Sequence, residues 1–466
     1  MAPLIAAAAS RGHSRQASAV PSFQRDVKPI LREKCTGCHQ TDGIAPFPLE
    51  TAKQAHDKAA LIAAAVGGGT MPPWPPGPRS PDFAGQEQHT LTASQRATIV
   101  RWARAGGRAS GPGAGKPPPA ELDVRPGESV LNLEMTSPYR PSAPKGATDD
   151  YRCFLLDPKL TSDVYATSSR IVPGSPAVVH HVILFRAAPT SRQEAEELDA
   201  SDPRPGWSCF GGTGLSAQGR GAGQSLNNSG WISAWAPGWG SGRLPDGVGV
   251  PLPAGSLVVM QVHYNLLNGR SPDRSRAVLT VAPPTGLNAI ETSLLPAPIE
   301  LACTAGEKGR LCDRNAALAE LGRKYGSLAA FVPAGLLVLC GQSAADPQPS
   351  TTSACDRRID RAGTIHVVAG HMHLLGKSIR LELNPGRADA RILLDIPRWD
   401  FHWQNAYVLE QAVDVRPGDV VRATCRYDPS RRRTGDQGVP KIPRYILWGE
   451  GTTDEMCLGI LQVTHP

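Results

Sequence analysis

The sequence has no apolar run long enough to cross a bilayer: its N-terminal apolar stretch, Leu4 to Ala9, is far below the roughly 20 residues that a transmembrane helix needs. It also has no clustered basic face. The net charge is +7, from 49 basic and 42 acidic residues, and the one dense basic run, Arg431 to Arg433, has no interleaved aromatic residues. Nucleic-acid binding needs such a face, so we interpret the run as a solvated loop. No membrane span and no nucleic-acid partner are expected.

Closely spaced cysteine pairs are scarce too, since Cys35-Thr-Gly-Cys38 is the only CxxC among ten cysteines. A zinc knuckle would need a second ligand pair nearby, and a thioredoxin-like pair would need a surrounding βαβ unit. The other eight cysteines are widely separated and even in number, which indicates disulfides and an oxidising compartment. We expect an exported protein, periplasmic or extracellular, with Met1–Ala19 as a candidate export signal.

The pattern of the chain changes at a linker. Before it, helical periodicity, clearest over residues 51–66 and 93–105, predicts a small all-α domain. The linker sequence SGPGAGKPPPA has no apolar periodicity. After it, short apolar runs bounded by Gly, Pro, Asn and Asp predict strands, too many for one sandwich, so we expect two all-β, jelly-roll-like sandwich domains. The expected boundaries are 22–109 for the helical domain, 110–125 for the linker, and 126–285 and 286–466 for the sandwiches.

A haem-attachment sequence ends the first helical stretch. Cys35-Thr-Gly-Cys38-His39 supplies two thiols that can bond to the vinyl groups of haem and an imidazole that can bind its iron. The alternative interpretation is a plain disulfide or a free pair of thiols. The string predicts covalent haem c.

Met71, in GGGTMPPW, is predicted to be the second axial ligand of this iron. Apart from the initiator, it is the only methionine before residue 135, and a thioether is a soft donor that raises a haem potential. His56 and His89 are the competing candidates, and we interpret both as surface histidines. The phrases DVKPILREKCTGCH, IAPFPL and MPPW resemble small cytochrome c modules fused to periplasmic enzymes, which implies an electron carrier.

Five of the twelve histidines lie in three apolar, strand-like sequences: VVHHVILF with His180 and His181, VVMQVHYN with His263, and VAGHMHLLG with His371 and His373. A single imidazole in an apolar strand is usually a core residue with a satisfied nitrogen. Several of them together favour a metal site.

Strand geometry decides which imidazoles can share an ion. Residues two apart project from one face, so His371 and His373 can converge, with the methionine between them turned away. Adjacent residues point in opposite directions, so His180 and His181 can share an ion only where the strand ends or bulges. We therefore predict a near-linear pair there, with His263 as the third ligand.

Met456 is the candidate that completes the second pair. It lies in EGTTDEMC, a polar turn that leads into the last strand, where an apolar side chain has no evident packing reason. Two imidazoles and a thioether suit copper, especially Cu(I), better than zinc, magnesium or calcium. Two copper ions are thus predicted, one at His180, His181 and His263 and one at His371, His373 and Met456.

Six sequences, HHVILF, AWAPGWGSGRLPDGVGV, QVHYN, HMHLLGK, PGDVVRATC and DEMC, occur in the order found in the type II copper, ascorbate-dependent monooxygenases, the family of peptidylglycine α-hydroxylating monooxygenase and dopamine β-hydroxylase. Residues 130–466 resemble this family. The resemblance implies that the first histidine set holds a copper that passes an electron. It implies that His371, His373 and Met456 are catalytic, holding the copper that binds dioxygen and oxidises a C–H bond, across an open cleft from the first.

The resemblance also bears on disulfides and substrate. It implies the pairs Cys153–Cys209 and Cys425–Cys457, and it leaves three pairings open for Cys303, Cys312, Cys340 and Cys355. In peptide-hydroxylating members an arginine helps to hold the substrate carboxylate, and an asparagine and a tyrosine follow the methionine–cysteine pair. The corresponding positions here are Ala369, Leu458 and Ile460. Apolar side chains cannot hold a carboxylate, because an unpaired buried charge is costly. We expect a smaller or more apolar substrate.

The expected function is therefore hydroxylation of a C–H bond in a small organic substrate by O2. The electrons would come through the fused cytochrome c, from an ascorbate-like reductant or redox protein, or from both. The rival interpretation is a non-catalytic haem and copper protein for electron transfer or copper handling. A haem-fused copper nitrite reductase ranks last, because it needs a cysteine thiolate beside a histidine at an electron-transfer copper.

Overall fold

The structure, a computed structural model, describes residues 19–41, 45–116, 123–143, 148–209, 212–216, 230–236, 242–266, 269–435 and 439–466. The described residues form two compact units. The first draws on Met1–Thr41, Phe47–Pro72 and Thr90–Pro117, and the second on Asp42–Pro46, Pro73–His89 and Pro118–Pro466. The candidate export signal, apart from Ala19, and residues 117–122 of the expected linker lie outside the described residues.

The first unit is helical, as its periodicity predicts. A π-helical turn, Phe23–Val27, leads directly into the first α-helix. The α-helices of the N-terminal region are α1 (Lys28–Lys34), α2 (Ala52–Asp57), α3 (Ala59–Gly67), α4 (Gln86–His89) and α5 (Ala93–Arg104), of which α4 belongs to the second unit. One apolar cluster fills the unit, with Val27, Leu31 and Ile99 each 0% exposed and Trp102 1% exposed.

Capping boxes begin α2 and α5. The Thr51 hydroxyl accepts the Gln54 N–H at 3.1 Å, and the Gln54 side chain accepts the Thr51 N–H at 2.9 Å. Thr92 and Gln95 make the same reciprocal pair. Each box satisfies two N–H groups that a helix start otherwise leaves unpaired. The single helix expected over residues 51–66 is interrupted at Lys58, whose φ of −104° and ψ of 6° are not helical.

The second unit is built mainly of strands. In chain order the described strands are β1 (Ser129–Glu134), β2 (Asp149–Leu156), β3 (Val164–Val172), β4 (Val179–Ala187), β5 (Trp207–Ser208), β6 (Trp231–Trp235), β7 (Gly242–Arg243), β8 (Val248–Leu252), β9 (Leu257–Asn265), β10 (Arg276–Ala282), β11 (Asn288–Pro296), β12 (Glu300–Leu301), β13 (Thr352–Arg358), β14 (Gly363–His371), β15 (Gly376–Leu383), β16 (Arg391–Ile396), β17 (Ala406–Val415), β18 (Val420–Tyr427), β19 (Ile446–Leu447) and β20 (Leu458–Thr464). Its later helices are α6 (Arg192–Ala200), α7 (Arg314–Tyr325), α8 (Ser327–Leu339) and α9 (Arg431–Thr434).

Three larger sheets form two sandwiches. A nine-stranded sheet runs in the order β1-β10-β3-β8-β11-β20-β14-β17, with β7 added to β3. Its first half shares a core with the five-stranded sheet β5-β2-β9-β4-β6, where Leu184 and Met260 meet Leu279. Its second half shares a core with the four-stranded sheet β13-β18-β15-β16, where Leu381 meets Val368. Alternating inward apolar residues supply both cores.

The two sandwiches are not separate. The segment β8 pairs in parallel with β11 through Val248 and Gly249 opposite Asn288 and Ala289. The division expected near residue 285 therefore lies just before β11, the strand that joins the two halves of the nine-stranded sheet. The sandwich architecture agrees with the prediction. The shared sheet could not be predicted, because the alternation of apolar and polar residues in a strand is the same whether its sheet ends in one sandwich or continues into a second.

All eight cysteines outside the CxxCH sequence form disulfides. Cys153–Cys209 and Cys425–Cys457 are paired as the resemblance implied, and the other two bridges are Cys303–Cys312 and Cys340–Cys355. The helices α7 and α8 lie between the last two bridges, in a segment where no helix was predicted. Although α8 carries no charged side chain over its 13 residues, none of the described helices has the length and apolar character to span a bilayer.

The basic run from Arg431 to Arg433 is not the solvated loop that we expected. It forms α9, and Arg432 is 3% exposed and paired with Glu307 through two hydrogen bonds of 2.7 and 2.8 Å. Arg431 donates to the carbonyls of Leu374 and Gly376. Arg431 therefore holds the loop that follows β14 and Arg432 is buried, whereas Arg433 is exposed.

Candidate metal centres

Three imidazoles converge in the first sandwich. His180 and His181 lie at the start of β4, and His263 lies on the neighbouring strand β9, directly opposite His181. The pairing register between the strands shifts between Val179 and His181. A bulge therefore falls on His180 and brings two adjacent side chains to one side, as the sequence required.

The atoms that face one another are Nδ1 atoms. His181 Nδ1 lies 3.3 Å from His180 Nδ1 and 3.3 Å from His263 Nδ1. Nitrogens about 2.0 Å from one ion, in a trigonal or tetrahedral arrangement, are about 3.3–3.5 Å apart, so the spacing fits a shared metal ion. The near-linear pair that we predicted would need a separation of about 4 Å, so the bulge brings the two nitrogens closer than expected.

Asp149 fixes the tautomer of His263. His263 Nε2 lies 2.9 Å from Asp149 Oδ1, and the Thr452 hydroxyl donates to the same oxygen at 2.6 Å. Burial alone would raise the pKa of Asp149, but the hydrogen bonds from His263 and Thr452 outweigh it and lower the pKa to about 2. The carboxylate therefore accepts Nε2–H, and His263 Nδ1 keeps a free lone pair.

His180 and His181 are neutral, and aromatic rings pack on the cluster. Burial lowers the pKa of His180 and of His181 well below the usual value, so both lack the second proton that would block metal binding. The Tyr151 ring stacks on His263 with centroids 4.2 Å apart and a 6° angle between the planes. The Phe401 ring stacks on His180 at 4.8 Å and 17°.

A second imidazole pair lies in the second sandwich. His371 is the last residue of β14 and His373 follows it, with ring centroids 5.1 Å apart. His371 Nδ1–H donates to Gln404 Oε1 at 2.6 Å, and His373 Nδ1–H donates to the Asp454 carbonyl at 3.2 Å. Both rings therefore keep Nε2 as the free donor. Burial, opposed by the Gln404 hydrogen bond, lowers the pKa of His371 to about 4, and burial lowers that of His373 well below its usual value.

Met456 lines the same cavity as this pair. Its side chain is 9% exposed, and its carbonyl accepts the Tyr427 hydroxyl at 3.1 Å. The next residue, Cys457, is bonded to Cys425, which fixes the chain beside the thioether. Met372, between the two histidines, is 0% exposed and packs into the core, so it is turned away as predicted.

A buried carboxylate joins the two segments that carry this second set. Glu455, 0% exposed, accepts the N–H of His373 at 3.0 Å, of Leu375 at 2.6 Å and of Met456 at 3.2 Å. Burial raises the pKa of Glu455 to about 8, against the opposing effect of these three donors. Glu455 therefore ties the loop after β14 to the turn that carries Met456.

Residues of both clusters line one cavity of about 540 Å³: His180 and His181 of the first, and His371, His373 and Met456 of the second. Phe401 lies between them, because its ring centroid is 4.8 Å from that of His180 and 6.0 Å from that of His373. The space that the resemblance implied to be an open cleft is thus partly occupied by an aromatic ring.

Sequence reasoning missed the residues that orient these imidazoles. They are Asp149, Tyr151, Phe401, Gln404 and Glu455. The partners Asp149 and His263 are 114 positions apart, and Gln404 and His371 are 33 apart, so no local pattern links them. Glu455 is the exception, because its place beside Met456 in a polar turn was a usable signal.

The candidate haem ligands lie in the first unit. Cys35 and Cys38 are free thiols, and burial raises the pKa of both, that of Cys35 to about 12. His39 Nδ1–H donates to the Phe47 carbonyl at 2.9 Å, which leaves Nε2 free. Cys35 and Met71 both pack against the apolar core of the unit. Haem binding by these residues stays a prediction.

The competing histidines have other partners. His56 Nδ1 lies 3.0 Å from the Gly107 carbonyl. His89 stacks on Trp74 within the second unit, with centroids 5.9 Å apart. The disulfides remove a further alternative, because none of the eight bonded cysteines offers the thiolate that a nitrite-reductase type of copper site needs.

Residues 337–462 match the family model described as copper type II ascorbate-dependent monooxygenase, C-terminal domain. Tyramine beta-hydroxylase of Caenorhabditis briggsae is 27% identical over 302 residues, which cover 62% of this chain and 40% of that protein. Bos taurus dopamine beta-hydroxylase is 28% identical over 147 residues, which cover 31% of this chain and 21% of that protein. A Mus musculus protein named DBH-like monooxygenase protein 1 is 32% identical over 105 residues, which cover 22% of this chain and 15% of that protein.

These matches show that the chain is similar to type II copper monooxygenases, as predicted, with the family model covering residues 337–462. The chain spans two fifths or less of the length of each of these relatives. Among solved structures, the major capsid protein P2 of bacteriophage PM2 aligns over 72% of this chain and 97% of its own chain, with a TM-score of 0.26 and 11% identity.

Proposed function

We propose that the chain is a copper-dependent monooxygenase that hydroxylates a C–H bond of a small or apolar substrate with O2. Two electrons per turnover would come from an ascorbate-like reductant, through haem c in the helical unit, or from both. The similarity to the tyramine and dopamine hydroxylases supports the reaction class, and the lining of the cavity supports the substrate class.

One observation carries the proposal: imidazoles of two differently built sets face one cavity, His180 and His181 from the first set and His371 and His373 from the second. The first set presents three nitrogens, with Nδ1 of His263 freed by Asp149. The second presents Nε2 of His371 and of His373, freed by Gln404 and Asp454. Imidazole nitrogens 3.3 Å apart in the first set, and two Nε2 atoms left free in the second, are donor arrangements that fit metal ions.

The donor chemistry favours copper at both sites. Imidazole suits copper, and a thioether beside two imidazoles, as Met456 would provide, favours Cu(I) over harder ions. Copper, when bound, supplies one-electron redox chemistry and a site for O2. The chain holds its ligand rings in fixed orientations and, through the stacked Tyr151 and Phe401, keeps the clusters partly shielded from water.

The cavity wall supports an apolar substrate. Ala369, Leu458 and Ile460 all line it, and the resemblance places the carboxylate-holding arginine of peptide-hydroxylating enzymes at the position of Ala369. Arg243 also lines it, but its guanidinium is hydrogen-bonded to Glu128 at 2.8 and 3.0 Å. A substrate carboxylate would therefore find no free cation among these residues, and its burial would be costly.

Two further features belong to the proposal. The free Nε2 of His39 beside two free thiols supports haem c in the helical unit, with Met71 as the other axial ligand. The four disulfides fit an exported protein, periplasmic or extracellular.

The test is oxygen consumption coupled to product formation. Copper-loaded protein with ascorbate and a panel of apolar substrates should consume O2 and place one ¹⁸O atom from ¹⁸O2 in the product. Met456→Ile should lower the rate at least about tenfold, because it removes the thioether and keeps the apolar bulk. Met372→Ile, at the buried methionine that faces away, is the matched control and should keep most of the rate.

Unchanged oxygen uptake in the Met456→Ile variant would refute the assignment. Reversible haem and copper titrations without coupled oxygen consumption for any substrate would instead favour the non-catalytic electron-transfer or copper-handling protein.

A further inference from the structure

We infer that Thr452 is a positioning residue through which one turn, Gly449–Met456, orients both candidate copper clusters. The inference rests on the proposed function in that the clusters bind copper. It adds that a hydroxyl in the second sandwich controls the metal affinity of a cluster whose ligands all lie in the first.

The first connection runs through Asp149. Thr452 Oγ1 donates to Asp149 Oδ1 at 2.6 Å, and the same oxygen accepts His263 Nε2–H at 2.9 Å. Thr452 is 6% exposed, Asp149 7% and His263 2%. Water is therefore largely excluded from this chain of hydrogen bonds, so it cannot readily replace the hydroxyl if that group is removed.

The second connection runs through Tyr151. Its hydroxyl donates to the Glu450 carbonyl at 2.6 Å, and its ring stacks on His263 at 4.2 Å. The turn therefore fixes the His263 ring twice, at its Nε2 edge through Asp149 and on its face through Tyr151. A ligand ring held in this way keeps its lone pair aimed at the ion.

The same turn holds the second cluster. The Asp454 carbonyl accepts His373 Nδ1–H at 3.2 Å, and the Glu455 carboxylate accepts the N–H groups of His373 and Met456. These contacts come two and three residues after Thr452. One short segment thus contacts ligands of both clusters.

The turn is also bonded to itself, so we expect it to move as one piece. The Asp454 N–H donates to the Gly451 carbonyl at 2.7 Å, and the Gly449 N–H donates to the Glu455 carbonyl at 3.1 Å. Arg444 Nη2 donates to Asp454 Oδ1 at 2.8 Å in a buried pair. A rigid segment can transmit a constraint between the clusters, whereas a frayed one could not.

The experiment measures Cu(I) affinity by competition with a chromogenic Cu(I) chelator. His371→Ala with His373→Ala removes the second cluster, so the first titrates alone; His181→Ala leaves the second to titrate alone. Thr452→Val, which removes the hydroxyl and keeps the shape, is made in both backgrounds. Thr452→Ser should restore the hydrogen bond, and Thr453→Val is the control at the neighbouring threonine.

We expect Thr452→Val to weaken Cu(I) binding at the first cluster by about tenfold or more, the effect seen when the hydrogen-bond partners of metal ligands are removed. Thr452→Ser and Thr453→Val should stay within about threefold of the parent, and the second cluster should change less than the first. Tyr151→Phe, which removes the other connection, should weaken the first cluster in the same direction and serves if Thr452→Val folds poorly.

Parent-like affinity in a folded Thr452→Val variant, with only a lower melting temperature, would overturn the inference and leave the hydroxyl a merely structural role. Failure of the proposed function has a different signature. In that case the first cluster would bind no Cu(I) even when threonine is kept at position 452, and the inference would fail as well.

Discussion

Gln404 Oε1 lies 2.6 Å from His371 Nδ1, and this hydrogen bond decides which nitrogen of His371 faces the cavity. The amide orientation is set by its other end, because Gln404 Nε2 donates to the Phe401 carbonyl at 2.8 Å. The ring therefore carries its proton on Nδ1. Asp149 imposes the opposite tautomer on His263, so the two clusters present different imidazole nitrogens to metal.

Removing the Gln404 acceptor should weaken metal binding at the second cluster. Gln404→Leu keeps the size of the side chain and frees His371 to rotate or change tautomer, and we expect a loss of Cu(I) affinity of about 10- to 100-fold. Chelator competition in the His181→Ala background measures it. Gln411→Leu, on the exposed face of β17, is the matched control, and equal affinities in the two variants would show that Gln404 has no orienting role.

The Glu455 carboxylate should contribute to stability as well as position. Above pH 8, where Glu455 is ionised because its pKa is about 8, Glu455→Gln places an amide N–H₂ against backbone donors that face carboxylate oxygens in the parent, so at least one buried N–H loses its acceptor. We expect a loss of about 1–3 kcal/mol in the free energy of unfolding, read from denaturant titration. The exposed Glu410→Gln should be close to neutral. A Glu455→Gln protein as stable as the parent would contradict the contacts described.

The Glu307–Arg432 pair predicts a pH dependence of stability. The hydrogen bonds from Arg432 outweigh burial and lower the pKa of Glu307 from 4.5 to about 2. A carboxyl whose pKa is lower in the folded state stabilises the fold above its unfolded pKa and loses that contribution as the pH falls. Glu307→Gln should therefore lower the melting temperature at pH 7, and the difference from the parent should shrink between pH 4.5 and about pH 2.

The control for this pH dependence is Glu134→Gln, at a half-exposed carboxylate 3.5 Å from Arg274, which should cost little at any pH. If the difference in melting temperature between Glu307→Gln and the parent is as large at about pH 2 as at pH 7, the Glu307 charge is not its cause.

The Cys425–Cys457 disulfide should support the second cluster, whereas Cys303–Cys312 should not. Each pair is replaced by two serines. Loss of the first bridge, which closes 32 positions, should cost about 3–4 kcal/mol of stability and should weaken Cu(I) binding, because Met456 precedes Cys457. Loss of the second, which closes 9 positions, should spare the copper affinity. Equal effects of both on copper affinity would argue against a role for the first bridge in holding Met456.

The sequence was most informative where chemistry follows from local spacing. The alternation of side chains along a strand required a bulge at His180, and the register of β4 against β9 shifts there. The same alternation turned Met372 into the core. Capping boxes at Thr51 and Thr92 begin helices within the predicted ranges.

Features that depend on long-range contacts could not be predicted. The shared nine-stranded sheet requires β8 to pair with β11. The alternation of apolar residues would be the same if the two sandwiches had separate sheets. The burial of Arg432 depends on Glu307, 125 positions away. The helices α7 and α8 were missed because their segment was interpreted through its Gly, Pro and Cys content, although the Asp313 side chain caps α7 by accepting the Ala316 N–H.

The most direct test of the central claim is the metal content of the purified chain, loaded with copper, desalted and analysed for copper and iron. The account predicts two copper ions and one iron per chain, and one copper in each of two variants, His181→Ala and His373→Ala, with the iron unchanged. Copper that stays at the parental ratio in both variants would show that these imidazoles do not hold it, and the two-site account would be wrong.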